Sequence, residues 1–199
     1  MVYIATGAFS FLMIALFDIV SLKRIPRIKL GIWVLGIGLF IYSIVMVSLA
    51  ANKISMPPWT TWIGYGLLAI SVVSLGYCLF INLPFRKTYI TTGAGDKLIT
   101  TGLYALVRHP GVHILTLVLL SLFLISKSVL LLIAAPIWVL LNILLVVIQD
   151  KFIFGKMFDE YDDYRQKTPM LMPNRRSAMA CLHSLKQSKP IYTFKEMVK

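Results

Sequence analysis

Five stretches of this chain carry almost no formal charge: Ile4–Leu22, Leu30–Ala51, Trp62–Phe85, Gly111–Ser126 and Ser128–Gln149. Runs of that length leave few folds open. At 1.5 Å rise per residue, the second run makes a helix of about 33 Å, enough to cross a hydrocarbon core of ~30 Å. Composition agrees: hydrophobic residues make up 58% of the chain and charged residues 14%, against roughly 25% charged in a soluble domain. The fourth run is short. It fits as one arm of a tight hairpin with the fifth, with Lys127 snorkelling at the turn. The expected fold is an all-α integral membrane protein of about five transmembrane helices ending in a helical hairpin.

Charge predicts the topology. Of 20 Lys and Arg, only Lys53 and Lys127 fall in the loops of one side, and the other eighteen fall on the opposite side. That asymmetry puts the N-terminus outside and the C-terminus in the cytoplasm, with a prokaryotic plasma membrane the expected location. The first run does not read as a cleaved signal peptide, because "KRIPRIK" follows it and no small-x-small site does. The net charge of +12 needs no nucleic-acid partner, since basic residues beside spans meet anionic lipid. Cys78 lies in a span and Cys181 in the tail, so no disulfide is expected between them.

The chain then divides into three N-terminal spans over 1–85, a core over 86–173, and a basic tail over 174–199. The core holds the polar residues. The segments Arg86–His109 and Asp150–Pro173 flank the hairpin and should emerge side by side at the membrane boundary. Pro110 suits the first helical position, with His109 before it. Arg108 and the helix start make a positive pole fit for a carboxylate or phosphate, or simply for lipid headgroups. Further on, Phe154, Phe158, Tyr161 and Arg165 fall on one face of a continuous helix, either as packing or as a lid over a ligand.

Other motifs carry less. "HPGVH" has the histidine spacing of a zinc helix, but Pro110 stands where a catalytic Glu belongs and no third ligand is near, so no metal is expected. "GAGD" at 93–96 reads as a loop turn. Asp18, inside the first span, should pair with Lys23 or Arg24. Asn142 and Gln149 share a face and should hold helices together.

"TTGLYALVRHPGVH" followed by "QDKFIFGKMFDEYDDYRQKTPMLMP" resembles the integral-membrane methyltransferases of the isoprenylcysteine carboxyl methyltransferase and phospholipid N-methyltransferase group. Their pattern runs T-G-x-Y-x-x-x-R-H-P-x-Y, then, after a hairpin, E-E-x-x-L-x-x-x-F-G-x-x-Y-x-x-Y-x-x-x-x-P. Thr101, Gly102, Tyr104, Arg108, His109 and Pro110 match the first half, and Phe158, Tyr161, Tyr164 and Pro169 the second. Val112 replaces an aromatic, Asp150-Lys151 replaces the acid pair, and Asp159 replaces a glycine.

The resemblance implies S-adenosylmethionine as cofactor, held by Tyr104, Arg108, His109, Pro110, Asp150, Tyr161 and Tyr164, with His109 and Arg165 serving catalysis. Asp150 would face the cofactor; its alternative partners are Lys151 and Arg108. The implied reaction is methyl transfer to a lipid or other membrane-partitioning acceptor. The altered acid pair favours a competing reading, a catalytically silent relative that binds a lipid or partner protein. A transporter fits poorly, because the spans hold few polar residues and show no inverted repeat.

Overall fold

The computed structural model describes residues 1–23, 26–82 and 98–187. Three long helices open the chain: α1 (Val2–Leu22), α2 (Pro26–Leu49) and α3 (Trp59–Gly76), the last continued by a wide π-helical turn, Tyr77–Asn82. A single-turn helix, α4 (Leu103–Leu106), precedes the hairpin of α5 (Pro110–Ser126) and α6 (Val129–Ile148). A second π-helical turn, Gln149–Ile153, leads into α7 (Phe154–Met157), followed by α8 (Tyr161–Lys167) and α9 (Arg175–Gln187). Four of these helical segments are long and apolar enough to cross a membrane, and α5 is a shorter apolar fifth. The fold is therefore the all-helical membrane bundle that the charge-free runs predict. The "GAGD" turn and Arg24 lie outside the described residues.

Lipid tails are as apolar as leucine, so helices in a bilayer gain little by hiding apolar surface from one another and associate by close packing instead. Small residues at the crossings permit that approach here. Ser10, Ser43, Ser71 and Ser121 are fully buried. Each satisfies its hydroxyl by donating to a carbonyl of its own helix, Gly7, Leu39, Leu67 and Leu117 respectively. Gly7 lies so close under the indole of Trp138 that a methyl group there would overlap the ring. Trp138 is itself fully buried, donates Nε1–H to the Ile4 carbonyl at 3.2 Å, and meets Phe40 edge-on. That knot ties α1, α2 and α6 into one core.

The hairpin turn is built by Lys127 in the left-handed region (φ 55°) and by Ser128, which caps α6 by accepting from Leu131 N–H. The loop between α2 and α3 is laced onto it. Ile54 N–H donates to Lys127 O, Val129 N–H donates to Asn52 O, and Lys127 Nζ donates to Met56 O. The lysine thus seals a loop, a role the snorkelling expectation did not include.

Length places the site. From Val129 to Asp150 a helix rises about 32 Å, one hydrocarbon thickness. The other arm, α5, is shorter, and the chain before it, extended at Val107, carries Arg108 and His109 to Asp150. Residues 108–110 and 150 accordingly meet at one boundary of the bundle.

Candidate functional site

Asp150 is the centre of that meeting point, and it is buried. Its carboxylate takes a bidentate pair from Arg108, with Nε at 2.8 Å from Oδ1 and Nη2 at 3.0 Å from Oδ2. Tyr161 donates its hydroxyl to Oδ1 at 2.5 Å, and His109 Nε2 lies 3.4 Å from the same oxygen. Arg165 Nε stands off at 3.7 Å from Oδ2. One acid, just after α6, thus gathers residues from the loop before α5 and from α8.

Local structure explains the convergence. Consecutive residues on a helix point about 100° apart, so a helix end can serve two directions at once. In the π-helical turn, Gln149 donates Nε2–H to Asp18 of α1 at 2.7 Å while Asp150 turns to Arg108. Gln149 does bind helices together, as expected. Asp18 takes this partner rather than Lys23, which is exposed. On the other side, Val107 and Thr168 are extended, and the two strands of chain run alongside each other. Arg108 N–H donates to Pro169 O and His109 N–H to Met170 O. Arg108 Nη1 adds donations to the carbonyls of Arg165 and Thr168. Four of its side-chain hydrogen bonds therefore go to protein acceptors, and Asp150 is paired with Arg108 while Lys151 stays exposed.

The aromatic stripe is not one continuous helix. Phe158 is extended (φ −130°, ψ 119°), so the chain breaks between α7 and α8. An unbroken helix would carry Tyr161 along the axis; the break folds it back. The four residues still converge. Phe154 stacks on the His109 ring at 5.8 Å and packs against Phe158 and Tyr161. Tyr164 donates its hydroxyl to the Tyr104 carbonyl at 2.6 Å, so Tyr104 enters through its backbone. Pro110 is the first residue of α5 and His109 its N-cap, as the sequence predicts. Arg165 remains 47% exposed, which leaves its guanidinium accessible at the rim.

Burial and hydrogen bonding decide the protonation states. Burial raises the Tyr161 phenol, and its donation to Asp150 raises it further; burial raises Tyr164 as well. Both are therefore hydrogen-bond donors and not bases. Burial lowers His109 below its ordinary 6.5, against the opposing pull of the Asp150 hydrogen bond and charge. Near neutral pH the imidazole is therefore uncharged, and the contact with Asp150 is a hydrogen bond from Nε2–H, leaving Nδ1 as an acceptor.

A histidine whose folded pKa is depressed adds stability that is complete above 6.5 and is lost as pH falls through the folded value. Melting temperature should consequently fall on that acid limb, and His109→Gln should flatten the fall. An unchanged limb in the variant would show that folding does not shift the titration of His109.

Sequence reasoning missed two contributors. Phe154 was placed on the stripe, but its stacking on His109 joins segments far apart in sequence. The Thr168 carbonyl is invisible in sequence, although the neighbouring Pro169 in the second motif marked the segment.

Fold and site together describe a polyhelical membrane protein with a charged, aromatic-walled centre at one end of its helical bundle. The sequence pattern of the phospholipid methyltransferase family matches residues 59–160, and the chain belongs to that family. The match takes in Arg108, His109 and Asp150 and stops before Tyr161. The chain is also 25% identical, over 151 residues, to the nickel-cobalt-cadmium resistance protein NccN of Alcaligenes xylosoxydans xylosoxydans. That alignment covers 75% of this chain and 66%, just under two thirds, of the relative. No solved structure matches the chain.

Proposed function

We propose that the protein transfers a methyl group from S-adenosylmethionine to a lipid or other membrane-partitioning acceptor, at the cytoplasmic face of a prokaryotic plasma membrane. The observation that carries this reading is the convergence of Arg108, His109, Tyr161 and Arg165 on Asp150 at the membrane boundary, in a member of a methyltransferase family. The eighteen-to-two division of basic residues supports the cytoplasmic orientation.

The donor set fits the cofactor. Aromatic faces beside a carboxylate suit a sulfonium cation; Tyr161 bonds Asp150, Phe154 packs on Tyr161, and Phe158 packs on Phe154. Arg165, exposed at the rim, would take the amino-acid carboxylate, within a wall completed by Tyr104, Arg108, Pro110 and Tyr164. S-adenosylmethionine, when bound, supplies a methyl group on a sulfur that is already a good leaving group. The protein's task is then to align the acceptor and exclude water. Arg108 holds Asp150 in place and thereby acts as a positioning residue. His109, neutral and with Nε2–H turned to Asp150, would receive the acceptor's proton on Nδ1.

Titration of the detergent-solubilised protein with S-adenosylmethionine tests the reading. Saturable binding is expected, weakened about tenfold or more by Arg165→Ala. Transfer of labelled methyl into a lipid extract should fall by about 10²-fold or more in His109→Gln, with binding retained. Absence of saturable binding would leave the silent-relative reading. One observation favours that second reading: Arg108 and Asp150 already satisfy each other.

A further inference from the structure

Helix α9 is set by its own sequence. Asn174 accepts from Ser177 N–H at 2.8 Å and Ser177 Oγ accepts from Asn174 N–H at 3.0 Å, a reciprocal cap that starts the helix. One stripe faces the protein. Ser177, Cys181 and Ser184 fall at i, i+4 and i+7, Ser177 and Cys181 are buried, and Ser184 Oγ accepts the Gly102 N–H at 2.9 Å. The stripe on the opposite face reads Arg175, Met179, Leu182, Lys186, again at helical spacing. Its centre is apolar and 64% and 61% exposed at Met179 and Leu182; its ends are cationic. Arg176 stands beside it, and α9 contains no carboxylate. Among the described residues Arg175, Arg176 and Lys186 form no ion pair with a carboxylate.

We propose that this outer stripe of α9 binds the surface of an anionic phospholipid leaflet. Three observations single out that occupant. Large apolar side chains held away from the protein core between cations match the layering of an interface, with methyl groups below and charges at the phosphates. The uniform positive sign complements anionic headgroups. Position supplies the third: Gly102, to which α9 is bonded, lies against Tyr77 and Asn82 at the end of α3, where Ile81 is exposed as a bilayer-facing residue would be. Helix α9 therefore packs beside a helix end that carries an exposed apolar residue. The inference does not depend on methyl transfer.

The test uses the full-length protein in nanodiscs, with a nitroxide on Leu182→Cys and, independently, on Met179→Cys. Unsubstituted protein is the blank, because Cys78 and Cys181 are buried. In discs of phosphatidylcholine with phosphatidylglycerol, both labels should be relaxed more by oxygen than by a polar nickel chelate. Pure phosphatidylcholine, or Arg175→Gln with Arg176→Gln, should shift that balance toward water. At about five-fold per charge, the paired substitution should shift the docking equilibrium by about 25-fold. Equal values in the two lipids would overturn the proposal. So would labels shielded from both relaxants, which would mean a protein surface, such as a second copy, covers the stripe.

Discussion

Arg108→Ala is expected to lower the unfolding free energy by about 3–5 kcal/mol, the cost of leaving a buried charge without its partner. The substitution strips Asp150 of its bidentate pair and removes the donor to the carbonyls of Arg165 and Thr168 at once. Arg108→Lys keeps the charge but cannot present a planar fork to both oxygens and the two carbonyls, so it should recover only part of the loss. Replacing both partners with apolar residues, Arg108→Met with Asp150→Leu, should be less damaging than either single change, since no charge is then stranded. Denaturant titration in mixed micelles reads these differences. An Arg108→Ala protein within about 1 kcal/mol of the parent would show that the pair does not hold the segments together.

Gly102→Ala should also be severe. The residue has φ 60° and ψ −133°, a combination that side-chain-bearing residues adopt at a cost of about 1–3 kcal/mol. A methyl group there would also overlap the Asn82 amide, which donates to Thr101 O at 3.0 Å, and crowd the Tyr77 hydroxyl. Overpacking adds about 1–3 kcal/mol. Gly155→Ala is the control: Gly155 lies within α7 with nothing near its position, so alanine should be neutral or stabilising by up to about 1 kcal/mol. If both variants melt alike, the strain at Gly102 is not a constraint.

The bundle and the meeting of the two polar segments were legible because both follow from period and length. A charge-free run of twenty residues has one use, and a hairpin brings its flanks together whatever they contain. Partner choice was not legible. Spacing placed Asp150 near Arg108 but could not say that Arg108 would spend four hydrogen bonds on the protein, because two of the acceptors are backbone carbonyls of Arg165 and Thr168. The stripe from Phe154 to Arg165 fits a 3.6-residue period over twelve positions, which concealed the break at Phe158; helical spacing and a fold-back deliver the same rings to one place. Asp18 reached across to Gln149 because tertiary packing brought α1 against the end of α6, a contact no local pattern encodes. The helix after Pro173 was read only as basic sequence, although the Asn-x-x-Ser cap at its start was there to be seen.

The lacing of the α2–α3 loop onto the hairpin turn bears on how the protein is made. A chain is synthesised from its N-terminus, and its early segments are placed first. In the proposed orientation, residues 52–56 reach the far side of the bilayer before Lys127 and Ser128 are threaded across. A turn emerging there alone would carry unpaired N–H and C=O groups near hydrocarbon, where each is expensive. Asn52 and Ile54 offer it one acceptor and one donor already in position. In that order of synthesis the first three helices present the hydrogen-bond partners that the turn of the last two requires.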